Sequence, residues 1–168
     1  MQLNSNSCAI NLKGALVSLT KNEKLSPWPE KHILFIEKIG QFQETAQKCW
    51  QELIALKNKV ELENKIIGVV ALYKVEPEMI YRAAFIVSEK PKSFIDGLRY
   101  DVFKGGNYLG YTLKGSYSQL PEACGIVFSE IQKHDVKVAN NWYLEHYLND
   151  PTTTPESELL TEILIPVS

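Results

Sequence analysis

The sequence is poor in the residues that build disulfide frameworks and metal sites. Its 168 residues include three cysteines and three histidines. Cys8, Cys49 and Cys124 are far apart, no CxxC pair occurs, and no histidine lies three or four positions from another histidine or a cysteine. This spacing argues against a disulfide framework and against structural zinc. We therefore predict reduced thiols, no bound metal and no cofactor.

Long apolar runs and an excess of one charge are also missing. The early apolar stretch, residues 9–19, is interrupted by Asn11 and Lys13 and has no basic lead-in, which argues against a signal peptide and a membrane span. Eighteen Lys and Arg against twenty Asp and Glu give a net charge of -2, which argues against nucleic acid as a direct partner. We expect a single cytoplasmic domain, residues 1–168, without a membrane partner.

The chain does contain a repeat. An apolar strand, a turn of glycine and an aromatic residue, and an amphipathic helix recur at an offset of about 75 residues. Cys49 and Cys124 take equivalent helix positions. Each helix is followed by a strand pattern, a turn of an acidic residue and proline, and a closing strand. The predicted order is therefore β-α-β-β twice, in residues 31–88 and 98–168.

The repeat also predicts how the two copies pack. A single copy can bury only one face of its three strands, so we expect both copies to form one continuous sheet with the helices on one side. Residues 1–30 are predicted to be an N-terminal extension that adds a strand within residues 10–19. The charged stretch from Lys57 to Lys65 is interpreted as a solvated helix end and loop.

Four segments together carry a resemblance to a known family. They are residues 103–108 (FKGGNY), 115–117 (GSY), 145–151 (EHYLNDP) and 158–166 (ELLTEILIP). Over about residues 31–168 the chain resembles a stand-alone member of the GyrI-like effector-binding domains, also called AraC-type or multidrug-activator ligand-binding domains. The resemblance implies a bacterial protein with an α+β fold. Its tandem β-α-β-β halves would form an antiparallel-sheet pseudo-dimer, with a cleft between them for small cationic and aromatic molecules.

The same resemblance points to site residues. It places the pocket carboxylate of the family on Glu145 and a second acidic position on Glu162. Leu164 departs from the family, because several relatives carry a pocket aromatic there. Strand alternation independently puts Tyr143, Glu145 and Tyr147 on one face and His146 on the other.

Three further aromatic residues are candidates for ligand binding. Tyr108 and Tyr111 follow a glycine turn on a strand that would reach the groove between the halves, and Trp28 precedes the first copy. Each candidate has a structural alternative. A strand tyrosine is commonly half-buried packing, Trp28 would merely pin the chain entry, and Glu145 or Glu162 would lie at a solvated sheet edge.

The leading functional hypothesis is capture of a small amphipathic molecule, cationic or aromatic, without chemistry. One alternative is a hydrolase for strained electrophilic natural products, with Glu145 activating water and Tyr111 as the acid. Another is a protein-interaction module similar to the gyrase-inhibiting members of the family, with a regulator or gyrase as partner. Thirty mostly polar residues before the matching region are too few for a helix-turn-helix domain, so direct transcription regulation is not expected.

Overall fold

The computed structural model describes residues 7–12 and 15–168, with side chains from Val17 onward. The helices are α1 (Phe42–Ala55), α2 (Lys57–Glu63) and α3 (Leu120–Lys133), with short 3₁₀ turns at Tyr117–Gln119 and Glu156–Glu158. The strands are β1 (Ser7–Leu12), β2 (Ala15–Lys21), β3 (Ser26–Trp28), β4 (Lys31–Ile39), β5 (Ile66–Lys74), β6 (Ile80–Val87), β7 (Arg99–Phe103), β8 (Gly106–Lys114), β9 (Tyr143–Tyr147) and β10 (Leu160–Val167).

The strands form one antiparallel sheet in the order β1-β2-β8-β10-β9-β5-β6-β4-β7, while β3 pairs with β8. The elements β4-α1-β5-β6 and β8-α3-β9-β10 follow the predicted β-α-β-β order, although α2 lies between α1 and β5. The two halves meet where β5 pairs with β9. The predicted α+β fold is confirmed. In the N-terminal extension, the single expected strand is replaced by the β1–β2 hairpin and the short β3.

A continuous two-stranded ladder joins the two halves a second time. The segment β3–β4 pairs with the segment β7–β8, from Ser26 opposite Tyr108 to Phe35 opposite Arg99. We call this pair of segments the connecting ribbon. Because β8 and β4 lie at the two ends of the path β8-β10-β9-β5-β6-β4, the ribbon links those ends and the pairings form a closed ring.

Gly105 lies where the connecting ribbon changes from one half to the other. Its φ of +83° is in the left-handed region, and a Cβ at this position would overlap the carbonyl oxygen of Trp28. Only glycine combines this backbone conformation with so close an approach of the opposite strand. The glycine turn of the sequence is therefore a crossing point of two chain segments.

The two faces of the sheet are covered differently. Cys49 and Leu53 of α1 pack on β4, β5 and β6, and Val127 of α3 packs on β2, β8 and β10. All helices therefore lie on one side, which we call the helix face, as predicted. The opposite side, the open face, has its own apolar cluster, which includes Phe35 and Leu164.

Helix α3 begins where local chemistry favours a helix. Pro121 lies in its first turn, where a missing N–H leaves no hydrogen bond unmade. Ser116 caps the preceding 3₁₀ turn, and its side chain accepts a hydrogen bond from the Ser118 N–H. No helix in the described part of the chain is long and apolar enough to cross a lipid bilayer.

Candidate functional site

Strand β9 places Glu145 in the middle of the sheet. Glu145 lies opposite Ile163 of β10 on one side and Ala71 of β5 on the other. The solvated sheet edge that was the structural alternative for this residue is therefore not its environment. Because Ile163 and Ala71 belong to the apolar clusters beneath α3 and α1, the Glu145 side chain projects between the two helices.

Two neighbouring side chains donate hydrogen bonds to the Glu145 carboxylate. The Tyr147 hydroxyl donates to Oε2 at 2.9 Å, and the Cys124 thiol donates to Oε1 at 3.6 Å. Burial raises the pKa of Glu145 above its ordinary value, while these two hydrogen bonds act in the opposite direction. Among the described residues, no lysine, arginine or histidine forms an ion pair with Glu145. Its negative charge therefore has no cationic partner within the described chain.

Aromatic rings from both halves contact one another on the same face as this carboxylate, and Tyr147 among them bonds to it. We call the following eight residues the aromatic shell: Phe42, Trp50, Tyr73, Tyr81, Tyr117, Phe128, Tyr143 and Tyr147. The ring of Tyr147 meets Trp50 of α1 edge-on at 5.2 Å between centroids. Tyr143 stacks on Tyr73 at 5.4 Å and meets Phe128 of α3 at 5.4 Å. The shell therefore spans the gap between α1 and α3.

The hydroxyl groups of the shell stay protonated near neutral pH. Burial raises the pKa of Tyr73 and Tyr147 well above the ordinary value, and the charge of Glu145 adds to the rise. The Tyr73 hydroxyl is buried near Cys124 without a well-aligned hydrogen bond. Burial and the charge of Glu145 also raise the pKa of the Cys124 thiol, which makes it a poor nucleophile. The shell thus offers neutral donors around one acid.

The structure brings three of the predicted site residues together, namely Tyr143, Glu145 and Tyr147. Tyr111 is on the same face, but Ile163 of β10 lies between it and Glu145 in the strand register. Tyr111 is 6% exposed and packs in the cluster beneath α3.

The other predicted residues lie on the open face. Tyr108 is fully buried there, meets the Trp28 ring at 6.4 Å and donates its hydroxyl hydrogen bond to the Trp142 carbonyl oxygen. Glu162 follows the alternation of β10 and points away from Ile163 and Glu145. Leu164 is fully buried on this open face, so the departure from the family at this position does not alter the aromatic shell.

Sequence reasoning missed most of the aromatic shell. Trp50 and Phe42 come from α1, and Tyr81 comes from β6, none of which was proposed as a site element. Two signals were available. Tyr73 occupies the position of Tyr147 in the sequence repeat, and Trp50 directly follows the buried Cys49 on the helix side that faces the sheet.

The chain matches a known family over most of its length. Residues 24–168 match the family described as GyrI-like small molecule binding domain. The chain belongs to the GyrI-like family. Small-molecule binding is therefore the general activity of its domain. By sequence, no match was found among curated proteins.

Solved structures share the GyrI-like fold at low sequence identity. The EcmrR C-terminal domain has a TM-score of 0.71 and 18% identity, covering 92% of this chain and 99% of that chain. SAV2435 bound to tetraphenylphosphonium has a TM-score of 0.68 and 18% identity, and the match covers 86% of this chain and 93% of SAV2435. A hydrolase from Listeria innocua has a TM-score of 0.55 and 13% identity, covering 86% and 91%. At these identities the likeness shows the fold alone.

Proposed function

We propose that this GyrI-like domain captures an amphipathic molecule, cationic or aromatic, between α1 and α3, with Glu145 as the partner of its positive charge. One observation carries the proposal: the Glu145 carboxylate has no cationic partner among the described residues and lies within the aromatic shell. Burying an unpaired carboxylate is unfavourable. A bound cation would remove that penalty, and the rings around it favour positive charge.

The magnitudes are sufficient for useful affinity. A cation over the face of an aromatic ring gains about 0.5–2 kcal/mol for each ring. Micromolar binding requires about 8 kcal/mol. Contacts with several rings, together with ion pairing to Glu145 and burial of the apolar body of the ligand, reach that range. The aromatic shell therefore supplies affinity, and Glu145 selects for positive charge.

Binding also requires the shell to change its packing. Its rings contact one another, while Glu145, Tyr143 and Tyr147 each keep partial solvent exposure. A ligand that reaches Glu145 would replace ring–ring contacts with ring–ligand contacts. Trp50 donates a hydrogen bond to the Tyr81 hydroxyl at 2.8 Å and meets Tyr147 directly, so its indole would report the rearrangement.

Hydrolysis with Glu145 as base and Tyr111 as acid has less support. The two groups are separated by Ile163 in the strand register, whereas general acid and base must both reach the reacting atoms. Tyr147, not Tyr111, bonds to Glu145. The aromatic shell and the unpaired carboxylate are explained by cation capture without a chemical step.

Calorimetric titration with tetraphenylphosphonium tests the proposal, because this cation combines four rings with one positive charge. We expect saturable binding, and a loss of about tenfold or more in affinity for Glu145→Gln, which keeps the shape and removes the charge. Glu89→Gln is the matched control, since Glu89 is exposed after β6 and the net charge changes equally. A neutral triaryl phosphine oxide should bind the native protein and Glu145→Gln alike.

Two results would contradict the proposal. One is the absence of any binding of tetraphenylphosphonium to the native protein. The other is equal affinity of the native protein and Glu145→Gln for the cation, since the carboxylate would then have no part in recognition.

A further inference from the structure

A second pocket lies on the open face of the sheet, behind the aromatic shell. It has a volume of about 320 Å³ and is covered on one side by the connecting ribbon. Its lining includes Trp28, Lys31, Ile67, Ile86, His146 and Glu162. Volumes from about 300 Å³ upward are typical of small-molecule sites. This pocket shares no lining residue with the aromatic shell.

A hydrogen-bonded network fixes the polar wall of the pocket. His146 Nδ1 lies 3.0 Å from Glu162 Oε1, and Asn22 Nδ2 donates to Glu162 Oε2 at 3.3 Å. The Thr112 hydroxyl donates to Asn22 Oδ1 at 2.9 Å. Gly110 provides the space for Asn22, because a Cβ at Gly110 would collide with the Asn22 amide nitrogen. Three separate chain segments, β8, β9 and the residues after β2, therefore hold Glu162 in place.

The network determines which polar groups remain for a ligand. A carboxylate only accepts hydrogen bonds, so His146 Nδ1 carries the proton that it shares with Glu162. The remaining ring nitrogen of His146 is Nε2, and both Glu162 oxygens already have partners. Lys31 has no ion-pair partner among the described residues. The polar groups that face the pocket thus include one ammonium and one imidazole nitrogen.

Most of the remaining lining residues are apolar. The Trp28 ring stands edge-on to His146, with 5.0 Å between ring centroids and an angle of 83°. Ile67 and Ile86 form the opposite wall, and Ile67 is 52% exposed. Burying such a surface under a ligand is favourable in proportion to the apolar area removed from water.

We propose that this open-face pocket binds a small carboxylic acid with an aromatic or other apolar body. The carboxylate of the ligand pairs with the Lys31 ammonium, which lines the pocket. The apolar body of the ligand packs against Trp28, Ile67 and Ile86. The two faces of the sheet thus select ligands of opposite charge.

Benzoate is a suitable probe, with benzylammonium as a probe of similar shape and opposite charge. Titration of the full chain is followed by NMR on the imidazole signals of His146 and the indole N–H of Trp28. We expect benzoate to shift both signals saturably and to leave His134 on α3 unmoved. Benzylammonium should produce no saturable shift at either open-face residue.

Variants test the role of the lysine. Lys31→Met keeps most of the length of the side chain and removes its charge, and we expect it to weaken benzoate binding about tenfold. Lys133→Met is the matched control, because Lys133 is exposed in the last turn of α3 on the helix face. It should leave benzoate affinity unchanged.

Several outcomes would overturn the inference. One is that benzoate shifts neither the His146 nor the Trp28 NMR signals. Another is that benzylammonium shifts these signals as much as benzoate does. A third is that Lys31→Met and Lys133→Met bind benzoate with the same affinity. If Lys31→Met does not fold, the comparison of the two probes on the native protein decides. The result is independent of cation capture, because tetraphenylphosphonium would bind on the other face.

Discussion

At the scale of single residues, Glu145 is a group that lowers the stability of the free protein near neutral pH. Burial raises the pKa of its carboxyl in the folded state. Between the ordinary pKa of 4.5 and the raised value, the folded protein therefore binds more protons than the unfolded chain. The free energy of unfolding then falls as pH rises through this window, and the loss remains in full above it.

This sign predicts the behaviour of Glu145→Gln. The variant should be more thermostable than the native protein at pH 7, by about 2–4 °C for each kcal/mol regained. The gain should disappear below the ordinary pKa of the carboxyl, where both states are protonated. Differential scanning calorimetry across pH measures the difference. A gain that is constant from acidic to neutral pH would show that it does not come from ionisation.

Tyr147 tunes the same carboxylate. Tyr147→Phe keeps the ring and removes the hydroxyl that donates to Glu145, so the pKa of Glu145 should rise further. When the solution is acidified, Tyr147→Phe should therefore lose its affinity for the cation at a higher pH than the native protein does. Calorimetric titration of tetraphenylphosphonium at several pH values measures this. Tyr100→Phe is the control, because Tyr100 is exposed on β7, and its affinity should depend on pH as in the native protein. If the pH dependence of Tyr147→Phe also matches that of the native protein, the assigned hydrogen bond is contradicted.

Part of the candidate site could be predicted at this scale. Alternation along β9 places Tyr143, Glu145 and Tyr147 together without knowledge of any neighbour. Tyr108 and Tyr111 are three residues apart on β8, which already places them on opposite faces of a regular strand. Which face meets the helices depends on strand pairing, and pairing between distant segments is not written in local alternation.

At the scale of elements, glycines distinguish two kinds of position. Gly105 lies at the crossing of the connecting ribbon with a positive φ, whereas Gly125 lies within α3 with open space around its Cα. Gly105→Ala should lower the free energy of unfolding by about 1–3 kcal/mol or more through backbone strain and overlap. Gly125→Ala should raise it by about 0.5–1 kcal/mol. Urea denaturation measures the free energy of unfolding of both variants. Equal changes in the two variants would contradict the close approach of the opposite strand at Gly105.

Periodicity located the long elements and missed the short ones. Apolar spacing predicted α1 and α3, because each packs one stripe on the sheet. Helix α2 falls in the charged stretch that was interpreted as a solvated helix end and loop, since Val60 is its only buried residue. Strand β3 has only three residues, one of them proline, which is too short to show an alternation of apolar and polar residues. Its formation depends on pairing with β8, a distant segment.

At the scale of the whole molecule, the two halves share one interior. Phe128, Tyr143 and Tyr147 pack against both helix-face clusters, and the halves pair at β5–β9 and along the connecting ribbon. Unfolding one half would therefore expose the interior of the other. The copies at 31–88 and 98–168, predicted from the repeat, would not behave as separate folding units.

Two variants that retain one tryptophan each test this cooperativity. One keeps Trp50 in the first half, and the other keeps Trp142 in the second half, with the remaining tryptophans changed to phenylalanine. Each variant should show the same midpoint by its own fluorescence and by far-ultraviolet circular dichroism. A fluorescence transition that precedes the loss of secondary structure would show that one half unfolds before the other.

The order of motifs was enough to predict the fold class, but not the closed ring of pairings. The halves follow from the repeat and the burial of one sheet face. The ring depends on residues 99–103 and on the N-terminal extension, which lie outside the strongest repeated segments. Closure arises from the ladder of the connecting ribbon, whose register joins residues more than 60 positions apart.

The register of β9 has a consequence for both proposed binding surfaces. Glu145 and His146 are adjacent in the chain and point to opposite sides, so inserting or deleting a single amino acid in this strand would exchange the acid of one surface for the imidazole of the other. Pairing with β10 and β5 on both sides opposes such a slip. The two proposed recognition chemistries, of opposite sign, thus depend on the alignment of one five-residue strand.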